Sequence, residues 1–324
     1  ARYFTHLRDE GNTVFDSIQE AMEFVEQVGV HVQIVHMKLS GTDNWGGAGK
    51  AMDLLADARR TGVKIDCDIY PYTAASNPLK NLFPPWLQEG GVDAMIARLG
   101  DDNIRIRLRE AVDAEGLNNF GRIPDWDAIR ISISPNLPQY AGRTIADIAA
   151  ERGIDGFWTA LDYIVEDHGQ TRVLVSSISE KDVKDFVRSP DVMIGSDGNS
   201  VAPNGTTGQG KPHPRFYGTF AKVLGQYSRD EELVPLHAAI WKMTGASTRA
   251  LGLKNRGLLR EGYAADITIF DPVTVAERAT YEDPHSFAAG IDRVIVNGTT
   301  VLCDDEHTGA LAGRTLRRQK DFHA

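Results

Sequence analysis

The first seventy residues alternate between short apolar runs and amphipathic segments at a regular spacing. The apolar runs are RYFT, VHVQIVH and VKIDCDIY. Between them lie DSIQEAMEFVEQVG and GKAMDLLADARRTG, in which apolar residues recur at helical spacing and a glycine, Gly29 or Gly62, follows the last turn. A distance of about thirty residues from strand to strand is typical of βαβ units. The pattern therefore predicts an α/β fold built on a parallel sheet with crossover helices.

The middle of the chain interrupts this alternation. The Pro- and Gly-rich segment NPLKNLFPPWLQEGG precedes VDAMIARLGDDNIRIRLREAVD, which has the periodicity of helices. We interpret residues 78 to about 130 as an inserted subdomain. Further strands are expected in AIRISIS, near 128–134, and TRVLVSS, near 171–177, and PDVMIGSDG at 190–198 is expected to be a short buried strand that ends in a polar cluster.

The pattern changes again from about Gly257. GLLREGYAADITIFDP and IDRVIVNGTTVL are alternating or β-branched runs joined by Gly, Asn and Asp-Pro turns, which predicts antiparallel strands. We therefore expect residues 1–256 to form the α/β part, including the insertion, and residues 257–324 to form a small β unit with a C-terminal tail.

Composition and motif searches exclude several functional classes. The formal net charge of −10 argues against binding to nucleic acid or to an anionic membrane surface. No apolar run approaches the roughly 18 residues of a membrane helix. The two cysteines, Cys67 and Cys303, are far apart, so a disulfide framework is not expected and a reducing cytoplasm is the predicted location. The sequence contains no GxSxG elbow, no P-loop and no GxGxxG after a strand.

Four strand-like runs end in residues that can take part in chemistry. They are followed by His6, His36, Tyr70 and Asp197. In a parallel α/β barrel the active site lies at the C-terminal ends of the strands, so these four residues are expected on one face. Two neutral imidazoles and a carboxylate suit a divalent metal such as zinc with a group that transfers a proton.

Each of these residues also has a structural interpretation. A histidine at a strand end is commonly a hydrogen-bonded structural residue, and Asp197 before Gly198 is compatible with a simple turn. Lys38 either binds a substrate carboxylate or is solvated. Tyr70 and Tyr72 either donate phenolic hydrogen bonds or pack the rim. The long Gly-rich loop that leads to His213 is either a lid or a solvated connection.

Several motifs together resemble the N-acyl-D-amino-acid deacylases (D-aminoacylases) of the amidohydrolase superfamily. They are THLRDEG, VHMKLSG, DCDIYPYTA, MIGSDG, HPRFYGTFAKVLGQY and GLLREGYAADITIFDP. They occur in the order of the family and cover essentially the whole chain. The resemblance implies a (β/α)8 TIM-like barrel beside a small β-sandwich. It also implies an enzyme that uses zinc to hydrolyse a small-molecule N-acyl-D-amino acid to a carboxylate and a free D-amino acid.

The resemblance assigns roles by matching motifs. It implies two zinc ligands on the fifth and sixth barrel strands, a general base and acid after the eighth strand, and side chains that bind the α-carboxylate of the substrate or shape the pocket. These residues are His6 and His36 for zinc, Asp197 for proton transfer, Lys38 and Tyr70 for the carboxylate, and Arg215 for the pocket.

The sequence departs from the family in one respect. Members carry an HxH pair on the first barrel strand and a further metal ligand, typically Cys, before the stretch present here, whereas no HxH occurs in this sequence. Cys67 does not match that cysteine's motif. The chain thus resembles the C-terminal two-thirds of a deacylase with its first barrel strands missing. Two alternatives stay open: another amidohydrolase, such as a dihydroorotase- or hydantoinase-like cyclic amidase, or a catalytically incomplete fragment.

Overall fold

The computed structural model describes residues 2–317 and contains three β-sheets joined by helices. The strands are β1 (Arg2–Thr5), β2 (His31–Ile34), β3 (Ile65–Ile69), β4 (Ala74–Pro78), β5 (Ile129–Ile133), β6 (Arg172–Ser176), β7 (Val192–Ile194), β8 (Ile267–Phe270), β9 (Ile291–Val296), β10 (Thr299–Cys303) and β11 (Glu306–His307). The α-helices are α1 (Val14–Val28), α2 (Ala48–Arg60), α3 (Val92–Leu99), α4 (Asp102–Glu115), α5 (Ile145–Arg152), α6 (Gly156–Glu166), α7 (Glu180–Arg188), α8 (Arg215–Lys222), α9 (Leu236–Met243) and α10 (Gly245–Leu251).

The first sheet is parallel and has the strand order β1-β2-β3-β7. The crossover helices α1 and α2 follow β1 and β2, which confirms the α/β pattern expected from the sequence. Helix α1 buries Val14, Ile18 and Val25 at helical spacing against the sheet. It ends at Gly29, whose left-handed backbone (φ 69°) lets its N–H donate to the carbonyl of Val25 at 2.8 Å.

The second sheet is antiparallel, with the order β4-β6-β5, and belongs to the insertion between β3 and β7. It has a hydrophobic core of its own, which includes Phe83, Phe120 and Phe157. Strand β4 begins at Ala74, before the predicted limit of about 78, and β6 begins at Arg172, beyond the predicted limit of about 130. Strand β4 pairs with β6 from Ala74↔Ser176 onward, so the backbone hydrogen bonds of the sheet need segments on both sides of those limits.

The third sheet is antiparallel, has the order β11-β10-β9-β8, and is reached through α8, a π-helical turn at Val223–Asp230, α9 and α10. The hairpin between β9 and β10 turns at Asn297 and Gly298, both at positive φ, as an Asn-Gly turn requires. The C-terminal segment contacts the parallel part of the protein, because Val275 lies in the core around the first sheet. Within residues 2–317, no helix combines the length and apolar character that a membrane span requires.

Candidate metal centre and active site

The carboxyl ends of the parallel strands bring the predicted site residues to one place. His6, His36 and Tyr70 directly follow β1, β2 and β3, and Asp197 lies three residues beyond the end of β7. Parallel strands point their C-terminal ends toward the same edge of a sheet, so these four residues converge. They line one cavity of about 280 Å³. The other two predicted residues, Lys38 and Arg215, line the same cavity.

Two of these residues adopt an uncommon backbone conformation. His36 has φ 41° and Asp197 has φ 45°, in the left-handed region that non-glycine residues seldom occupy. Neighbouring groups hold both: the His36 N–H donates to Asp68 Oδ1 at 2.9 Å, and Arg215 Nε donates to the Asp197 carbonyl at 2.9 Å. Such strain costs about 1–3 kcal/mol per residue and is typical of functional sites, because it fixes where the side chain points.

The imidazoles of His6 and His36 face each other. Nδ1 of His6 lies 3.0 Å from Nε2 of His36. Burial lowers the pKa of His6, which favours a neutral ring with a lone pair available. Two imidazole nitrogens at this separation have the spacing of two ligands on one zinc ion, for which each N–metal distance is about 2.0–2.1 Å.

Glu10 completes this cluster, although sequence reasoning did not single it out. Its Oε1 lies 3.2 Å from His36 Nδ1 and 3.6 Å from His6 Nδ1. His6, Glu10 and His36 form a group whose potential ligand atoms all lie within 4.8 Å of one another. Glu10 Oε2 is buried and has no hydrogen-bond partner among the described residues, so it is an oxygen donor open to a cation. The spacing HxxxE in THLRDEG was the available sequence signal.

The loop after β1 carries Glu10 into the interior, where it is 1% exposed. Its N–H donates to Asn119 Oδ1 at 2.7 Å, and its carbonyl accepts from the Ser40 N–H at 2.8 Å. Burial alone would raise the pKa of Glu10, but Lys38 and the two imidazoles reverse this effect and lower the pKa to about 2. The carboxylate is therefore charged at neutral pH and can accept a hydrogen bond from a donor near Nδ1 of His36.

Lys38 is buried, in contrast to the solvated lysine that the sequence left open. Its side chain is 5% exposed, and its Nζ lies 2.5 Å from Glu10 Oε1 and 2.9 Å from His36 Nδ1. Burial lowers the pKa of Lys38, while attraction to Glu10 opposes this change. The lysine therefore presents a largely compensated positive charge at the wall of the cavity.

Arg215 fixes the carboxylate of Asp197. Its Nη2 lies 2.8 Å from Asp197 Oδ2, and its guanidinium lies 4.6 Å from the centre of the Tyr70 ring. The Tyr70 hydroxyl makes no hydrogen bond with any residue in the described part of the chain, and burial raises its pKa, so the phenol stays protonated and can donate. The site thus places the ion-paired carboxylate of Asp197 near the phenolic donor of Tyr70.

His213 has a structural position rather than a ligand position. It is fully buried: its Nε2–H donates to the carbonyl of Ala74 at 2.9 Å, and its Nδ1 accepts from the Arg215 N–H at 3.0 Å. Both ring nitrogens are therefore used, and burial lowers the His213 pKa well below its ordinary value. Tyr72 also points away from the cavity, since its hydroxyl donates to Glu277. Tyr72 therefore uses its phenolic donor within the protein and does not line the cavity.

The insertion supplies a second wall of the cavity, which sequence reasoning missed. Strand β4 contributes Ala75, Ser76 and Asn77, and β6 contributes Arg172. These residues are up to 97 positions apart in the chain (172 − 75 = 97) and carry no shared motif. Only the pairing of β4 with β6 brings them together, for example through Asn77↔Val173.

The chain is similar to known proteins over almost its whole length. The model of the amidohydrolase family matches residues 49–302. A D-aminoacylase of Alcaligenes xylosoxydans xylosoxydans is 33% identical over 316 residues, which are 98% of this chain and 54% of the relative. An N-acyl-D-glutamate deacylase from the same organism is 31% identical over 98% of this chain and 54% of the relative. The chain spans about half the length of these curated relatives.

Solved structures give the same result. The crystal structure of a D-aminoacylase superimposes with a TM-score of 0.76 at 34% identity, and it covers 98% of this chain and 56% of its own length. An N-acyl-D-glutamate deacylase of Bordetella bronchiseptica, solved with zinc and a phosphonate inhibitor, superimposes with a TM-score of 0.72 at 30% identity over 94% of this chain and 53% of its own.

Proposed function

This chain belongs to the amidohydrolase family, and from that premise we propose that it serves the zinc-dependent hydrolysis of N-acyl-D-amino acids to a carboxylate and a free D-amino acid. The observation that carries the proposal is the facing imidazole pair of His6 and His36 in one cavity with the carboxylate of Asp197. The relatives named above act on this class of amide, according to their names.

The fold proposal follows the same relatives. We propose that the parallel sheet is part of a (β/α)8 barrel within residues 1–256 and that the C-terminal sheet is part of a β-sandwich within residues 257–324. Among the described strands, β1 pairs only with β2. Tyr3 and Phe4 on β1 are 45% and 46% exposed. An open strand edge with exposed aromatic side chains favours further pairing on that side.

The residues present fit zinc as two imidazole ligands, with Glu10 beside them. Zinc, when bound, polarises the amide carbonyl and lowers the pKa of a water toward 7. His36 would hold the metal through Nε2, and Nδ1 of the same ring lies 3.2 Å from Glu10 Oε1 and 2.9 Å from Lys38 Nζ. Lys38 also donates to the carboxylate of Glu10. Glu10 and Lys38 would therefore orient His36 from the side of the ring opposite the metal.

Asp197 transfers the proton in this proposal. Its carboxylate takes a proton from the attacking water and returns it to the leaving amine nitrogen, because its protonation alternates between the two steps. Arg215 orients the carboxylate through the 2.8 Å ion pair and holds the backbone at Asp197. Lys38 and Tyr70 bind the α-carboxylate of the substrate, and this third point of contact selects the enantiomer whose amide faces the imidazoles.

The test is Asp197→Asn in the intact protein, assayed with N-acetyl-D-amino acids. We expect kcat to fall by at least about 100-fold while the zinc content, measured by mass spectrometry, stays unchanged. The matched control is Asp185→Asn, which removes a half-buried, ion-paired carboxylate on α7, outside the cavity. Turnover by Asp197→Asn at the wild-type rate would refute the assigned role. Hydrolysis of a hydantoin, with none of the N-acetyl-D-amino acids, would favour a cyclic amidase instead.

A further inference from the structure

The charged side chains that line the cavity are not balanced. Its cationic groups are Lys38, Arg172 and Arg215, and its lining carboxylate is Asp197. Lys38 is neutralised by Glu10 at 2.5 Å, and Arg215 is neutralised by Asp197 at 2.8 Å. Arg172 makes no ion pair and no hydrogen bond with the residues that the structure describes. One positive charge at the cavity wall therefore has no counter-charge from the protein.

Arg172 is held at the edge of the site by the insertion. It begins β6 and is in register with Pro78 of β4 and Ile133 of β5, so its backbone is anchored on both sides. Its side chain is exposed and lines the cavity beside Ser76 and Asn77 of β4. The enclosed part of its side chain and, to a smaller extent, the nearby Arg215 lower its pKa. An anion bound at Arg172 would offset both effects.

We propose that Arg172 binds a second carboxylate on the substrate, so that this site prefers N-acyl-D-amino acids with an acidic side chain. The inference rests on the proposed function and narrows its substrate class. The imidazole pair and Asp197 lie at the strand ends of the parallel sheet, whereas Arg172, Ser76 and Asn77 come from the other sheet. A substrate whose amide lies at the imidazoles presents the rest of the molecule to this second wall.

The chemistry of the wall favours a carboxylate over an amide. A guanidinium presents parallel N–H donors that match the two oxygens of a carboxylate, and the Ser76 hydroxyl and the Asn77 amide add neutral donors nearby. A neutral side chain would leave the charge of Arg172 uncompensated. The loss of a hydrogen bond to a charged group corresponds to a preference of about 10- to 100-fold for the acidic substrate over the neutral one.

The experiment compares N-acetyl-D-glutamate with its neutral isostere N-acetyl-D-glutamine, using the intact protein and kcat/KM. We expect the wild type to prefer the glutamate derivative at least about 10-fold. Arg172→Gln should remove most of that preference by lowering only the value for glutamate, and Arg172→Lys should restore part of it. The matched control Arg188→Gln removes the same charge from α7, outside the cavity, and should leave the ratio unchanged.

The other outcomes overturn the inference in distinguishable ways. An equal fall for both substrates in Arg172→Gln would mean that Arg172 serves the α-carboxylate that they share. A wild type that hydrolyses N-acetyl-D-leucine better than N-acetyl-D-glutamate would reject the acidic preference and leave the proposed function intact. Absence of any hydrolysis would count against the proposed function only. Calorimetric titration with N-acetyl-D-glutamate then decides the inference. Tighter binding by the wild type than by Arg172→Gln supports it, and equal binding by the two proteins refutes it.

Discussion

The buried ion pair of Glu10 and Lys38 gives the sharpest prediction about stability. Both side chains are nearly inaccessible, at 1% and 5% exposure, and Lys38 Nζ lies 2.5 Å from Glu10 Oε1. Glu10→Gln keeps the shape of the side chain and removes its charge. Lys38 is then left as a buried cation without a counter-charge, which is the costly way to break such a pair.

The structure sets the size of the effect. The pKa of Glu10 falls from its ordinary 4.5 to about 2, which corresponds to roughly 3 kcal/mol. The pKa of Lys38 does not rise correspondingly, because the burial of the lysine outweighs its attraction to Glu10. The intact ion pair therefore contributes less to the free energy of folding than the pKa of Glu10 alone suggests. Glu10→Gln breaks the pair and leaves the Lys38 cation buried without a counter-charge, so we expect it to lower the free energy of unfolding by about 3 kcal/mol at pH 7.

The pH dependence has a definite sign. The folded pKa of Glu10 is depressed, so its contribution to stability is fully present above the unfolded pKa of about 4.5 and is lost as the pH falls through about 2. The difference between wild type and Glu10→Gln should therefore shrink below about pH 4.5, since a protonated glutamate resembles glutamine.

The assay is urea unfolding of metal-free protein, followed by circular dichroism, for Glu10→Gln, Lys38→Met and the double variant. The double variant should be more stable than the sum of the two single losses implies, because the two changes remove both charges together. Glu20→Gln, which removes an exposed partner of Arg8, is the control and should have little effect. Losses that simply add, or a Glu10→Gln loss no larger than that of the control, would refute the argument.

Two further predictions concern the metal and the backbone. His36→Ala should lower the amount of zinc that the protein retains on dialysis. His31→Ala is the control, because His31 lies at the opposite end of the same strand and is hydrogen-bonded to Asp66. Equal zinc retention by both variants would exclude the imidazole pair as the metal site. Gly116→Ala should lower the free energy of unfolding in urea by at least about 3 kcal/mol, because Gly116 has φ +80° and a Cβ there would lie 2.4 Å from the carbonyl carbon of Gly121. Gly62→Ala is the control and should cost about 1–2 kcal/mol, because Gly62 has φ +94° but a Cβ there would meet nothing within 4 Å. Similar losses for both variants would contradict the steric argument.

Several parts of the site could be read directly from the sequence. Local alternation predicts β1, α1, β2, α2 and β3, because helix and strand periodicities depend on residues a few positions apart. The residue that follows each parallel strand is then placed at the sheet edge by geometry alone. His6, His36, Tyr70 and Asp197 accordingly share a cavity, as that reasoning expected.

Other parts depended on contacts that no local pattern contains. The pairing of β4 with β6 has no local signal, because the two strands are about a hundred residues apart in the chain. For the same reason, the position of Arg172 beside Asn77 had no sequence signal.

The chain's local patterns decided where strands end and which polar residues stand there, since those properties follow from side-chain periodicity. The tertiary structure alone decided which charges are buried and which are paired. Glu10 and Lys38 look like solvated residues in the sequence, and Asn119 and Ser40, distant along the chain, hold the loop that buries Glu10. A charge takes its protonation and its energetic role from all of its neighbours in space, and most of those neighbours are set by long-range packing.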